Sequence, residues 1–339
     1  MSPPHRPSLW WVRRDLRLAD NPALSAAVAD GSAVLPLFVL DPLLLDGAKG
    51  SGRRDWLMAS LRRLDADLRA GGGPGLSVVE GRPVEVVPRV AAQVEASAVH
   101  IAADFAPYGR RRDAAVQQAL TAADRALVAT GSPYGVAPGT LVKSDATPFQ
   151  VFSPYHRAWL AHGVHQPAAA IDVGATTWMS APDRVTPEDP DPDLLEVVGE
   201  TAAAARWQGW LDRDHDGVQD YARMRNFPAV DGTSRLSRAL RWGHLHPRTV
   251  LADLAARQSK GASSLAREIS WRDFFADVLW HRPEAVRVPV KPEFARMRFD
   301  DPTTVTAQER LEGWRQGRTG YPLVDAGMRQ LLTEHWMHN

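Results

Sequence analysis

Cysteine is absent from all 339 residues. That absence excludes disulfide bridges, thiolate metal sites and thiol nucleophiles, and it fits a cytoplasmic protein. No run of about 18 apolar residues occurs, so no membrane span is expected. The stretch 1–7 holds Pro, His and Arg without an apolar segment, which argues against a secretory signal. Net charge is missing as well, with 40 basic against 40 acidic side chains. A nucleic-acid footprint spread over the whole surface is thereby excluded, and a basic patch has to be local. Lysine is confined to Lys49, Lys143, Lys260 and Lys291. The remaining cations are arginines, whose planar fork suits bidentate contacts to phosphate. Neither Gly-x-Gly-x-x-Gly nor a Walker stretch is present, which leaves a dinucleotide site in the first half unsupported.

A chain of 339 residues exceeds what one core usually serves, so two domains are expected. Apolar runs at 8–12, 33–40, 76–80, 98–103 and 126–130 read as strands covered on both faces. Helical patterns separate them. Asn21-Pro22 supplies an N-cap and a first-turn proline; Leu57, Leu61, Leu64 and Leu68 form a stripe that Gly71-Gly72-Gly73 ends. Val84, Val87, Val90, Ala91 and Val94 mark another helix, and 109–125 a further one. Such alternation implies parallel βαβ units and an α/β, doubly wound sheet, with ligands at the carboxyl ends of its strands. Arg13, Arg14, Asp15, Asp41, Asp104 and Phe105 fall at those ends. Residues 132–139 read as loop, 155–161 as a short helix, and 166–192, rich in Pro, Asp, Ala and Thr, as a linker. Beyond Leu194 the pattern is helical throughout, with helices expected at 200–211, 234–242, 247–257, 263–281, 307–316 and 322–336.

Two stretches of the helical half carry chemistry. In Arg267-Glu268-Ile269-Ser270-Trp271-Arg272-Asp273-Phe274-Phe275, the i, i+3, i+4 spacing sets Glu268, Trp271 and Arg272 on one side of a helix, able to serve one pocket. The plain alternative is an amphipathic helix whose Glu268–Arg272 pair is a surface salt bridge worth a few tenths of a kcal/mol. In Asp231-Gly232-Thr233-Ser234-Arg235-Leu236-Ser237, Gly232 permits a turn, and Thr233 or Ser234 can cap the following helix. Three hydroxyls, Arg235 and free N–H groups at a helix start suit a diphosphate; an ordinary cap is the plain alternative. Tyr221 and Arg225, four residues apart, either join that site or serve core and surface. The histidine pairs His162/His165 and His335/His338 lack a third ligand, so no metal is expected.

Taken together these segments resemble the DNA photolyase/cryptochrome family, most of all its cyclobutane pyrimidine dimer photolyases. The resemblance starts at Leu9-Trp10-Trp11-Val12-Arg13-Arg14-Asp15-Leu16-Arg17-Leu18-Ala19-Asp20-Asn21. It runs through Thr233-Ser234-Arg235-Leu236-Ser237, Glu268-Ile269-Ser270-Trp271-Arg272-Asp273-Phe274 and Thr319-Gly320-Tyr321-Pro322-Leu323-Val324-Asp325-Ala326-Gly327-Met328-Arg329-Gln330-Leu331, and it ends at Trp336-Met337-His338-Asn339.

The resemblance implies an α/β antenna domain over 1–131, an interdomain linker over 132–198 and a helical FAD-binding domain over 199–339. It implies that Tyr221 and Thr233, Ser234, Arg235, Leu236 and Ser237 hold FAD, that Arg272 lies beside the flavin, and that Trp336 walls the pocket. Glu268, Trp271 and Asn339 match the positions that meet a pyrimidine dimer; Arg225 matches a DNA-contacting one, and Arg272 belongs to the same DNA-facing set. The activity implied is light-driven splitting of cyclobutane dimers in UV-damaged DNA, by electron transfer from reduced FAD to a flipped-out dimer. A monomer is expected, with an antenna chromophore of folate or deazaflavin type near 104–110.

Two departures qualify the match. The sequence stops at Asn339, where family members continue, so the FAD domain is expected to be truncated. Residues 299–304, where the outer tryptophan of the family's electron relay would fall, contain none. Two rival readings stand beside repair. One is a cryptochrome-like blue-light sensor; the other is a non-catalytic remnant that does not hold FAD.

Overall fold

The computed structural model describes residues 6–46 and 52–338. The chain forms two compact units, Met1–Pro283 and Glu284–Asn339.

The first unit opens with the alternation read from the sequence: β1 (Ser8–Val12), α1 (Pro22–Asp30), β2 (Val34–Leu40), α2 (Pro42–Asp46), α3 (Gly52–Ala70), β3 (Ser77–Glu80), α4 (Pro83–Gln93), β4 (Ala98–Ile101), α5 (Pro107–Thr121) and β5 (Ala126–Ala129). The sheet is wholly parallel in the order β3-β2-β1-β4-β5. Leu9 is therefore registered with Leu35 on one side and Val99 on the other. Successive β1 side chains enter opposite cores, because strand side chains alternate faces. Leu9 and Trp11 join α4 and α5 residues such as Val87 and Val116. Trp10 and Val12 join Leu24 of α1 and Leu61 of α3. Both indoles are fully buried, which explains why a strand of five residues carries no surface position. The doubly wound α/β expectation is met.

The stretch read as a linker does more than connect. Between Thr177 and Val185 it runs along the sheet: Val34 N–H donates to Thr177 O (2.9 Å), Met179 N–H to Val34 O (2.9 Å) and Val185 N–H to Val78 O (2.7 Å). Ala181 is buried in the core beneath. These are backbone bonds, indifferent to side-chain type, so composition alone reads the segment as loop.

The helical part comprises α6 (Phe152–His162), α7 (Pro192–Val197), α8 (Glu200–Leu211), α9 (Tyr221–Met224), α10 (Ser237–Trp242), α11 (Pro247–Ala255) and α12 (Lys260–His281). Its core joins Trp207 and Trp210 of α8 to Leu240, Val250, Leu254, Leu265 and Ile269. The opening Arg-Arg-Asp-Leu-Arg stretch after β1 fastens this part to the sheet. Arg17 is buried and donates to Asp20 O and Gly243 O. Asp20 accepts from Arg248 Nε (2.8 Å) and Thr249 Oγ1 (2.9 Å) on α11. Glu200, at the start of α8, accepts from the N–H groups of Leu18 and Ala19.

A 3₁₀ turn, Pro283–Val286, begins at the last residue of the first unit; the second unit holds another, Pro292–Arg296, then α13 (Val305–Arg315) and α14 (Pro322–Glu334). Its Thr319-Gly320-Tyr321-Pro322 turn is organised by Asp325, which accepts from Thr319 N (2.7 Å), Thr319 Oγ1 (2.6 Å) and Gly320 N (3.1 Å). Gly320 takes φ +83° there, a region that favours glycine. No helix among the described residues is long and apolar enough to cross a membrane.

Candidate active site

Helix α12 carries the site. Ser259 caps it by accepting from Ala262 N, and an apolar edge of Leu265, Ile269 and Phe274 is buried. The same buried side holds two carboxylates that the apolar pattern does not disclose, Asp273 and Asp277. Asp273 accepts from Val136 N (2.9 Å), Gly135 N (3.3 Å) and Trp159 Nε1 (3.0 Å), pinning the 132–139 loop and α6 onto α12. Burial pushes its carboxyl up to about 6, against the opposing pull of Arg272 and those N–H donors.

On the opposite side stand Ser264, Glu268, Trp271 and Phe275, following the helical period of α12. Glu268 pairs with Arg225 from just beyond α9, Nη1 to Oε1 at 2.6 Å, and not with its helix neighbour Arg272. Arg225 also reaches Ser264 Oγ (3.4 Å) and lies over the Tyr221 ring at 5.5 Å. The hydrogen bond to Glu268 raises the Arg225 pKa, and burial raises that of Tyr221. Side chains of the pair are 32% and 27% exposed, so both remain within reach of a ligand from solvent. Trp271, half-buried, lies face to face with Phe152 and is flanked by Phe274 and Phe275.

Arg272 leaves this group. Its guanidinium donates to Pro133 O (2.7 Å) and Leu240 O (3.3 Å) and lies 4.7 Å from the centre of the Tyr134 ring. It therefore ties α12 to α10 and to the 132–139 loop. Desolvation lowers its pKa.

Residues 231–237 differ from the expected cap. Helix α10 starts at Ser237, and the cap position falls to Leu236, which has no side-chain acceptor. The leading N–H groups of α10 are thus left without a capping side chain, which favours an anion there. Thr233 is half-buried, Ser234 buried and Ser237 exposed. Arg235 sits at φ +50° and meets Asp231 at 2.9 Å. Gly232 is buried against α9, where an added Cβ would stand 2.7 Å from Met224 Cβ. This donor set, hydroxyls plus uncapped N–H groups plus an arginine, fits the diphosphate of FAD.

Trp336 belongs to the second unit, where its ring meets His338 edge-on at 6.2 Å. Asn339 lies outside the described residues. At the strand ends, Arg13 is buried and bonds Asp113 (2.8 Å) and the Ala102 carbonyl; Arg112 pairs with both Asp104 and Asp113. Tyr108 donates to Asp41. No cluster of three or more metal-ligating side chains occurs among the described residues.

The Arg225–Glu268 pair links residues 43 apart in the chain, and the Asp273–Trp159 bond of the clamp links residues 114 apart; neither carries a local signal. The Phe152–Trp271 stack was equally invisible, although Phe152 sits in an aromatic stretch, Phe149 to Tyr155, that flags a buried element.

Known proteins resemble this chain over nearly its whole length. Residues 8–172 match the model of the DNA photolyase family, and residues 264–339 match that of the FAD binding domain of DNA photolyase. A deoxyribodipyrimidine photo-lyase from Streptomyces griseus is 36% identical over 96% of this chain and 70% of its own length. One from Synechococcus sp. is 32% identical, over 98% and 72%. Among solved structures, a class III photolyase from Agrobacterium tumefaciens superposes with a TM-score of 0.85 at 27% identity, covering all of this chain and 71% of that one. A Synechocystis cryptochrome gives 0.83 at 25% identity, covering 99% and 73%. Sheet, helical half, flavin-suited turn and relatives agree: this chain belongs to the DNA photolyase family, a family of FAD-binding lyases.

Proposed function

We propose that the chain is a deoxyribodipyrimidine photo-lyase, which splits cyclobutane pyrimidine dimers in UV-damaged DNA under light. The observation that carries this reading is the joint presentation of Glu268 and Trp271 on the outward side of α12, with Arg225 bonded to Glu268. A light sensor has no need of a carboxylate and an indole set to receive a flipped-out dimer. The domain roles follow: residues 1–131 serve as antenna, 132–198 as linker, and 199–339 as FAD-binding and catalytic part.

In this reading Thr233, Ser234, Arg235 and Ser237, with the N–H groups following Leu236, hold the FAD diphosphate, and Tyr221 lines the flavin site. Arg272 fixes α10, through Leu240 O, in the orientation that presents those groups. Bound and reduced, FAD supplies the light-excited electron that opens the cyclobutane ring. The chain's own residues do the rest. Arg225 meets a DNA phosphate. Trp271 stacks on the extruded dimer, an interaction worth about 1–3 kcal/mol per base. Glu268 meets the thymine carbonyls as negative charge arrives there. A carboxylate only accepts hydrogen bonds, so the contact needs a proton that Glu268 carries or shares with the base. The antenna site at the carboxyl ends of β1, β4 and β5 takes a folate- or deazaflavin-type chromophore, and the protein works as a cytoplasmic monomer.

The test is repair of an oligonucleotide with one thymine dimer, under blue light and in the dark. Light-dependent restoration supports the reading. A flavin-bearing preparation that repairs nothing in light supports the cryptochrome-like alternative, and a colourless one supports a remnant without FAD.

A further inference from the structure

Trp271 is braced from outside its own helix. Its ring and that of Phe152, the first residue of α6, have centroids 3.5 Å apart and planes within 8°. Aromatic pairs left to themselves prefer offset or edge-on contacts to full overlap, so the surroundings hold this stack. Those surroundings are specific. His156, one turn along α6, lies against Phe152 at 5.3 Å and 19°. His156 Nδ1 is 2.8 Å from the hydroxyl of buried Ser270, next to Trp271 in sequence. Phe274 meets Phe152 edge-on at 5.8 Å, and the Arg267 guanidinium stands 5.1 Å from its ring centre. Phe152 is 4% exposed, whereas Trp271 keeps part of its surface open. One ring is locked, and the other leans on it.

We propose that Phe152 is a positioning residue for lesion recognition: it fixes the plane of the Trp271 indole before DNA arrives, so that the dimer stacks on a surface already ordered. The inference rests on the reading of Trp271 as the wall that meets the dimer. Freezing a side chain on binding costs about 0.5–1.5 kcal/mol, and removing the brace should weaken dimer binding by about fivefold. A residue that merely fills the core would act on all DNA alike, through stability.

The experiment compares wild type, Phe152→Leu, Phe152→Tyr and Trp271→Ala as full-length chains. It measures affinity in the dark for a thymine-dimer oligonucleotide and for its undamaged twin, alongside thermal melting. Expected is a loss of dimer preference in Phe152→Leu of about fivefold, unchanged affinity for undamaged DNA, and wild-type preference in Phe152→Tyr. If the leucine variant fails to fold, Phe152→Met takes its place. Retained preference in the aliphatic variant, an equal loss on both DNAs, or failure of tyrosine to rescue overturns the proposal. Should Trp271→Ala abolish the preference while Phe152→Leu keeps it, the brace alone is wrong. A wild type without preference removes both the brace and the reading beneath it.

Discussion

Acid should loosen the flavin-side helices through two buried histidines, His244 and His246, which follow α10. His246 caps α11 by accepting from Arg248 N at Nδ1, and its Nε2 donates to Ser132 O at 2.6 Å. Both nitrogens are committed, so the ring is neutral with its proton on Nε2. Protonating Nδ1 would break the cap and place a charge near Arg17 and Arg248; burial, with those cations, holds its pKa well below the ordinary range. His244 lies 3.0 Å from Ser60 Oγ on α3, and burial, then Arg17, lowers it from 6.5 to about 4. The sign follows from proton uptake. A group depressed in the folded state gives stability that is present above its unfolded pKa and is lost as pH falls through the folded one. For His244 the window runs from 6.5 down to about 4. Each pH unit inside it removes about 1.4 kcal/mol, or about 2 kcal/mol between pH 6.5 and about 5. Urea unfolding of wild type and His244→Gln across that range isolates the contribution, because the other groups are common to both. The variant should lose about 2 kcal/mol less than wild type on acidification. Parallel curves would show that His244 is not held neutral by burial.

Asp273 works in the opposite sense. Its folded carboxyl lies at about 6 against 3.8 unfolded, so its contribution is complete below 3.8 and is lost as pH rises through 6. Stability of Asp273→Asn, followed by urea unfolding, should therefore rise with pH more steeply than wild type inside that window, by up to about 1.4 kcal/mol per unit. Arg272→Met strands the carbonyls of Pro133 and Leu240. It should lower unfolding stability by about 2–3 kcal/mol and reduce FAD retained through gel filtration. Trp271→Ala should weaken binding to dimer DNA by about tenfold or more, judged from the stacking value per base, while leaving flavin content unchanged. Glu268→Ala should cut repair per absorbed photon yet shift stability by less than about 1 kcal/mol, because its partly exposed pair with Arg225 is solvent-screened.

The sheet was legible because its strands are buried on both faces and read as near-continuous apolar runs. Ser8–Val12 was placed to the residue, as was Glu200–Leu211. Elements held by backbone bonds alone were not legible, which is why Thr177 to Val185 read as loop although it follows the sheet. Helix α10 was placed too early, at 234 instead of 237, because Thr233 and Ser234 look like caps and the position falls to Leu236. A cap left without its side chain is a local rule broken, and such breaks gather where a ligand completes the structure. The spacing of Glu268, Trp271 and Arg272 suggested one shared pocket. It could not reveal that Arg272 turns to α10 while Glu268 turns to α9, since both partners lie far off in sequence. Asp273 and Asp277 face the core on an otherwise apolar edge; their acceptors serve loop N–H groups that no pattern on the helix announces.

The most direct measurement is quantum-yield repair: the flavin-loaded chain mixed with a single-dimer oligonucleotide, illuminated with blue light, and intact thymine counted against photons absorbed. Light-dependent repair that falls in Glu268→Ala and collapses in Trp271→Ala is the predicted result. Undiminished repair in both variants, or none by a flavin-loaded wild type that binds the dimer, would contradict the account.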